Sequence, residues 1–214
     1  MTKSEKIKQS YIEYLLENGK EPESVWAFCK KLKIKENEFY EEYNSFVQLE
    51  AEIWKGFFVQ AKATAESEDI YGGYSVREKL LAVYYTWIEV LKANRSYILK
   101  SYERFEKPIT MKNNMALAEF KYSFYDFVNE LLMEARETKE VEQRPVPFIM
   151  QRYPDLFWKK CLFILEFWIK DTSKMFEKTD TAIEKMVNTT FDWIGRSPLD
   201  SLLDLGKFLY QNRK

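Results

Sequence analysis

Apolar residues recur at spacings of three and four along nearly the whole of this 214-residue chain, whereas the strict alternation of a half-buried strand is almost absent. That pattern confines the chain to an all-α architecture. Its extreme case is "LFWKKCLFILEFWIK", residues 156–170, which is apolar around most of its circumference and therefore predicts a central helix. The six prolines all fall at borders between such segments.

The periodicity reads as about nine helices. The first runs over Lys3–Asn18 with Ile7, Tyr11, Tyr14 and Leu15 on one face, and Gly19 is placed to stop it. A second follows Pro22 and buries Val25, Phe28, Cys29 and Leu32. "KENEFYEEY", residues 35–43, is a short third. "LEAEIWKGFFVQAKATAE" is a longer fourth, ending before the "YGGYS" break. Ser75 and Glu78 form a capping box for one helix that continues through "LLAVYYTWIEVLKANRSYILKSY". After a loop at Pro108 comes "MALAEFKYSFYDFVNELLMEAR", and a connection with Pro145, Pro147 and Pro154 leads to the central segment. "DTAIEKMVNTTFDWIG" and "SPLDSLLDLGKFLYQ" close the chain.

Composition narrows the chemistry. Histidine is absent, which removes the usual general base, the usual zinc ligand and the orienting member of hydrolase triads. No catalytic residue, metal site or cofactor is therefore expected. A net charge of −1 supplies no global attraction to nucleic acid or anionic lipid. Cys29 and Cys161 sit among apolar neighbours and read as reduced, packed thiols of a soluble cytoplasmic protein. Aromatic residues make up 17% of the chain, more bulk than an ordinary core requires. Such rings either fill a core or wall a pocket.

Residues 7–49 resemble, without a gap, the helix-turn-helix module of the TetR family. Ile7, Gly19, Ser24-Val25 and the Phe39-Tyr40-Tyr43 pattern carry the resemblance. It implies a helix-turn-helix module over 1–48 and a helical ligand-binding and dimerisation domain over 49–214. The departures fall where the family touches DNA. Glu36, Asn37 and Glu38 replace a small or basic run, Lys33 replaces a glycine in the turn, and Phe46 replaces a phosphate-contacting lysine. Residues 35–46 hold one lysine against four glutamates, and the first arginine of the chain is Arg77. Two readings follow: DNA reading has been lost, with any contact weak, or the chain is a ligand-responsive transcriptional regulator that binds DNA as a dimer through Lys30, Lys31, Lys33, Lys35, Asn37 and Tyr40.

The pattern at Asp171, Thr172, Ser173, Phe176, Glu177, Thr179, Ile183 and Glu184 is similar to the mitochondrial coenzyme Q biosynthesis accessory protein family, lipid-binding relatives of TetR that do not bind DNA. Capping alone accounts for much of it, with Asp171 to Ser173 ending one helix and Thr179 or Asp180 starting the next. The resemblance implies a lipid or isoprenoid quinone as ligand, and a partner enzyme to which it would be presented. Helical spacing selects Tyr84, Trp87 and Leu91, then Phe120, Phe124 and Phe127, then Phe163 and Phe167, as the candidate pocket wall. Leu156, Cys161, Leu165, Trp168 and Ile169 are the candidate homodimer interface, because their helix has no polar side. The last helix, opening at Pro198, carries Asp200 and Asp204 on its polar face and so predicts packing within the protein, with weak membrane contact.

Overall fold

Short polar side chains set most of the helix ends. The computed structural model describes residues 2–105, 114–140 and 152–195, together with Leu209 and Gln211. Thr2 opens α1 (Lys3–Asn18) through a capping box with Glu5, and Gly19 closes it at φ +68°. Ser24 caps α2 (Val25–Leu32) by accepting the Ala27 N–H at 3.1 Å. This helix ends on Lys33 at φ +58°, a left-handed conformation that costs a side-chain-bearing residue about 1–2 kcal/mol. After α3 (Glu36–Tyr40), Ser45 caps α4 (Phe46–Glu66), and the Ser75–Glu78 box opens α5 (Val76–Ala93). The remaining helices are α6 (Arg95–Glu103), α7 (Ala118–Glu137), α8 (Tyr153–Lys170) and α9 (Glu177–Gly195). Among the described residues the chain thus forms nine α-helices and no strand, as the periodicity predicts.

Several boundaries differ from the sequence reading, each for a local reason. The helix expected from Ser75 to Tyr102 breaks at Asn94, whose side-chain amide donates to the Val90 carbonyl and whose backbone leaves the helical region at φ −117°. The third helix is shorter than residues 35–43, because the Glu42 N–H turns back to the Phe39 carbonyl three residues earlier, tightening the last turn before the chain reaches the Ser45 cap. The central helix begins at Tyr153, with Pro154 in its first turn. The expected loops at Pro108 and at Pro145 and Pro147, and the helix from Pro198 apart from Leu209 and Gln211, lie outside the described residues.

Helix α4 is the spine of the molecule. Its first turn belongs to the N-terminal module: the Phe46 ring lies 5.5 Å from Tyr11, 5.4 Å from Phe28 and 5.5 Å from Phe39, with α1, α2 and α3 all contributing a ring. Its later turns pack on α5 and α7, while α9 packs on α5 and α8, and α8 on α7. One continuous apolar core runs from Ile7 to Ile194, so the division at residue 48 cuts through packed side chains.

A buried polar cluster fastens the module to the larger domain. Glu50 of α4 is 4% exposed and accepts from the Ser101 hydroxyl of α6 at 2.6 Å and from Arg104 at 3.3 Å. The Trp54 indole N–H donates to Ser101 Oγ at 3.1 Å, and Arg104 also donates to the Tyr11 hydroxyl and to Glu21. Burial pushes the Glu50 carboxyl above its ordinary range, against the pull of Ser101 and Arg104.

Candidate functional site

The outer face of α2 and α3 carries the candidate DNA contacts. Lys30, Lys31, Lys33, Lys35, Asn37 and Tyr40 are all exposed. Two lysines are engaged within the module, Lys30 over the Trp26 ring at 4.8 Å and Lys31 with Glu17 at 2.7 Å. Glu38 and Glu41 lean towards Lys3 of α1, at 3.7 and 3.0 Å, and the Lys35 N–H followed by that lysine holds the Glu38 carboxyl below its usual range. Phe46, at the position of the family's phosphate-contacting lysine, is 8% exposed and sits inside the ring cluster.

The candidate pocket wall divides into two groups. Tyr84, Trp87, Leu91, Phe120, Phe124 and Phe127 come together, but as a filled core. Two rings that the spacing argument did not select occupy the space between them. Phe58 of α4 lies 5.3 Å from Phe120, 5.6 Å from Phe124 and 5.9 Å from Phe127. Trp158 of α8 lies 5.0 Å from Phe120 and 5.8 Å from Phe124. Both fall within the apolar helical pattern, but periodicity gives no order of priority among buried rings.

Phe163 and Phe167 are separate from this layer and turn outward. Their ring centroids are 6.1 Å apart, and Phe163 is 44% exposed. With Glu166, Lys170, Asp171, Thr172 and Lys178 they line a groove of about 530 Å³ at the C-terminal end of α8. Glu166 pairs with Lys170 at 2.6 Å, so the apolar floor has a charged rim. Asp171 braces the connector below it, accepting from the N–H and hydroxyl of Ser173 and of Thr179 at 2.7–3.0 Å. Burial alone would raise its carboxyl, yet these bonds hold it at about 2. Thr179 therefore donates to Asp171 and is not itself the start of the next helix, which opens two residues earlier at Glu177.

The expected dimer interface needs correction. Cys161, Leu165 and Trp168 have 0% exposure within a single chain and cannot touch a partner, because α7 and α9 already cover that side of α8. Leu156 and Ile169 are half-buried. The exposed apolar side chains on this helical pair are Phe163 and, on α9, Trp193 at 62%. An all-apolar helix hides which of its sides faces outward until its neighbours are placed. Burial also pushes both thiols above their ordinary range, in keeping with packed, reduced cysteines.

Comparison with known proteins bears on the whole of this arrangement. A solved structure from Shewanella sp. PV-4, described as a TetR family transcription regulator, superposes with a TM-score of 0.60 over 92% of this chain and 100% of that one, at 11% identity. No curated protein matches the sequence. Residues 79–209, well over half of the chain, match the family described as "Tetracyclin repressor-like, C-terminal domain". The chain accordingly belongs to the tetracyclin repressor-like C-terminal domain family, on a TetR-like fold.

Proposed function

We propose that this protein is a non-catalytic, TetR-like ligand binder whose C-terminal domain takes an apolar molecule, a lipid or isoprenoid quinone, and whose helix-turn-helix module no longer reads DNA. The observation that carries the ligand reading is the outward pair Phe163 and Phe167 over a groove of about 530 Å³, within the size range of small-molecule sites. The position of Phe46 supports the second half. A ring packed against Tyr11, Phe28 and Phe39 leaves no ammonium where the family grips a phosphate.

Homodimers are common among TetR-like proteins, and here the pairing surface is the end of the α8–α9 hairpin that exposes Trp193 on α9 and carries half-buried Leu156 on α8. Phe157 and Phe191 pack together at that end, 5.9 Å apart, while the groove lies at the opposite end of α8. A dimer made there leaves the groove open.

A second reading, a ligand-responsive regulator that binds DNA as a dimer, is favoured by one observation. Glu38 and Glu41 turn towards Lys3, which lowers the negative charge facing outward from α3. The two readings separate in one preparation. An organic extract of the purified protein should yield a bound lipid or quinone by mass spectrometry, and Phe163→Asp should abolish its recovery. Duplex binding at about 0.15 M salt should stay weak and sequence-independent. A specific complex in the nanomolar range expected of true operators would decide for the regulator.

A further inference from the structure

Arg95 is the first residue of α6, immediately after the break at Asn94. Its guanidinium lies between two rings, 4.6 Å from the Trp168 centroid and 4.6 Å from that of Phe176. One arm, Nη2, makes a long 3.4 Å hydrogen bond to the Ile169 carbonyl. The other arm, Nη1, is buried and meets no acceptor among the described residues. Trp168 is in the same condition: it is 0% exposed, and its indole N–H has no acceptor.

Two buried donors on touching residues, both unanswered, are unusual. Each carries a desolvation penalty of about 1–3 kcal/mol, and a charged donor carries more. Among the described residues no carboxylate pairs with either of them. Lys92 also approaches the Phe176 ring, at 5.6 Å, and adds a second cation, while its own partner Glu89 is bound to it at 2.6 Å. Asp171, on the connector that leads to Phe176, is occupied by Ser173 and Thr179.

We propose that Arg95 and Trp168 form a subsite for the carboxylate group of a small-molecule ligand. A carboxylate offers two oxygens in one plane, which suits a guanidinium arm and an indole N–H together. Its single charge matches the single charge of the Arg95 guanidinium, whose Nη1 arm meets no acceptor among the described residues. A phosphate dianion would bring a second charge into a corner walled by Trp168 and Phe176. The subsite rests on the reading that this domain binds an apolar molecule, and it adds the chemistry of the head group: an amphiphilic monocarboxylate.

The test uses the full-length protein, with sodium acetate and sodium dodecanoate as probes and sodium chloride as the ionic-strength control, followed by calorimetry and thermal melting. Dodecanoate should bind and raise the melting temperature. Arg95→Gln should weaken binding by about tenfold or more, the range for a charge-assisted hydrogen bond. Trp168→Phe keeps an aromatic ring in the core and should weaken it by a smaller factor, which preserves the test if Arg95→Gln folds poorly. Binding of acetate as well would show that the head group suffices, and dodecanoate alone that the acyl chain is needed; either supports the subsite. Equal affinity in wild type and both variants, or no carboxylate binding by the wild type, would overturn it. In the latter case a neutral lipid recovered in the organic extract leaves the ligand-binding reading standing, whereas an empty extract removes both.

Discussion

Two fully buried tryptophans, one at each end of the core, show how differently the two regions treat polar atoms. Trp54, beneath the N-terminal module, gives its N–H to Ser101, which in turn serves Glu50, and Arg104 closes the network onto Tyr11 and Glu21. Trp168, beside the C-terminal end of α8, gives its N–H to nothing described, and Arg95 beside it keeps an idle arm. The first region answers the Trp54 donor and the Glu50 carboxylate from within, although the buried Tyr97 hydroxyl in the same cluster meets no partner among the described residues. The second leaves donors inside and aromatic rings outside, at Phe163 and Phe167. Unanswered polar groups are costly in a core, and beside the end of α8 two of them sit on touching residues.

Arg104→Met would break the comparison most forcefully. Removing one partner of a buried charged pair costs about 3 kcal/mol, at the low end of the usual range because Arg104 is partly exposed. The loss should shrink in acid. Burial has already raised the Glu50 carboxyl, so the protonated form is favoured on folding, and protonation removes the charge that Arg104 balances. Urea titrations at neutral and mildly acidic pH would measure this, and a loss independent of pH would assign the cost to packing.

Asp171→Asn is expected to have a smaller effect, about 1–3 kcal/mol at neutral pH, since an amide cannot accept from both Ser173 and Thr179 as the carboxylate does. The sign of its pH dependence is opposite to that of Glu50. The carboxyl is lowered from 3.8 to about 2, so its contribution is complete above the unfolded value and lost as pH falls through the folded one. Wild type and variant should therefore converge in stability between pH 3.8 and about 2.

The finest test is a matched pair. Trp54→Phe and Trp168→Phe remove the same atoms from sites that are both 0% exposed, so the loss of volume is common to the two. Without ligand, Trp54→Phe should cost about 1 kcal/mol more, the worth of its hydrogen bond to Ser101. Equal melting shifts would mean that the Trp168 N–H has an acceptor after all.

Much of the scaffold was legible before the structure. Gly19 stops α1, and Ser75 and Glu78 open α5, because caps act through neighbours in sequence. The break at Asn94 was not legible, since neither glycine nor proline marks it and the apolar repeat continues across it. Nor was the division of the ring set. Phe124 and Phe163 look alike in a periodic pattern, and only the arrival of Phe58 and Trp158 from other helices makes the first a core residue and leaves the second exposed. Arg95 was missed for a related reason: an arginine within a continuous apolar repeat reads as solvated until the rings it lies against are placed.

Phe46 links two properties that a binding surface would otherwise tune separately. The resemblance to TetR sets this position against one that would meet phosphate, yet its ring is shared with Tyr11, Phe28 and Phe39 from three other helices. Lysine at this position would have to withdraw from that cluster and leave a cavity of aromatic size, a change of several kcal/mol by the usual cost of truncating a buried phenylalanine. Affinity for nucleic acid cannot be dialled up there one substitution at a time. A cation at this position would require the surrounding rings to change in concert, so the surface chemistry of this module is held in place from the inside.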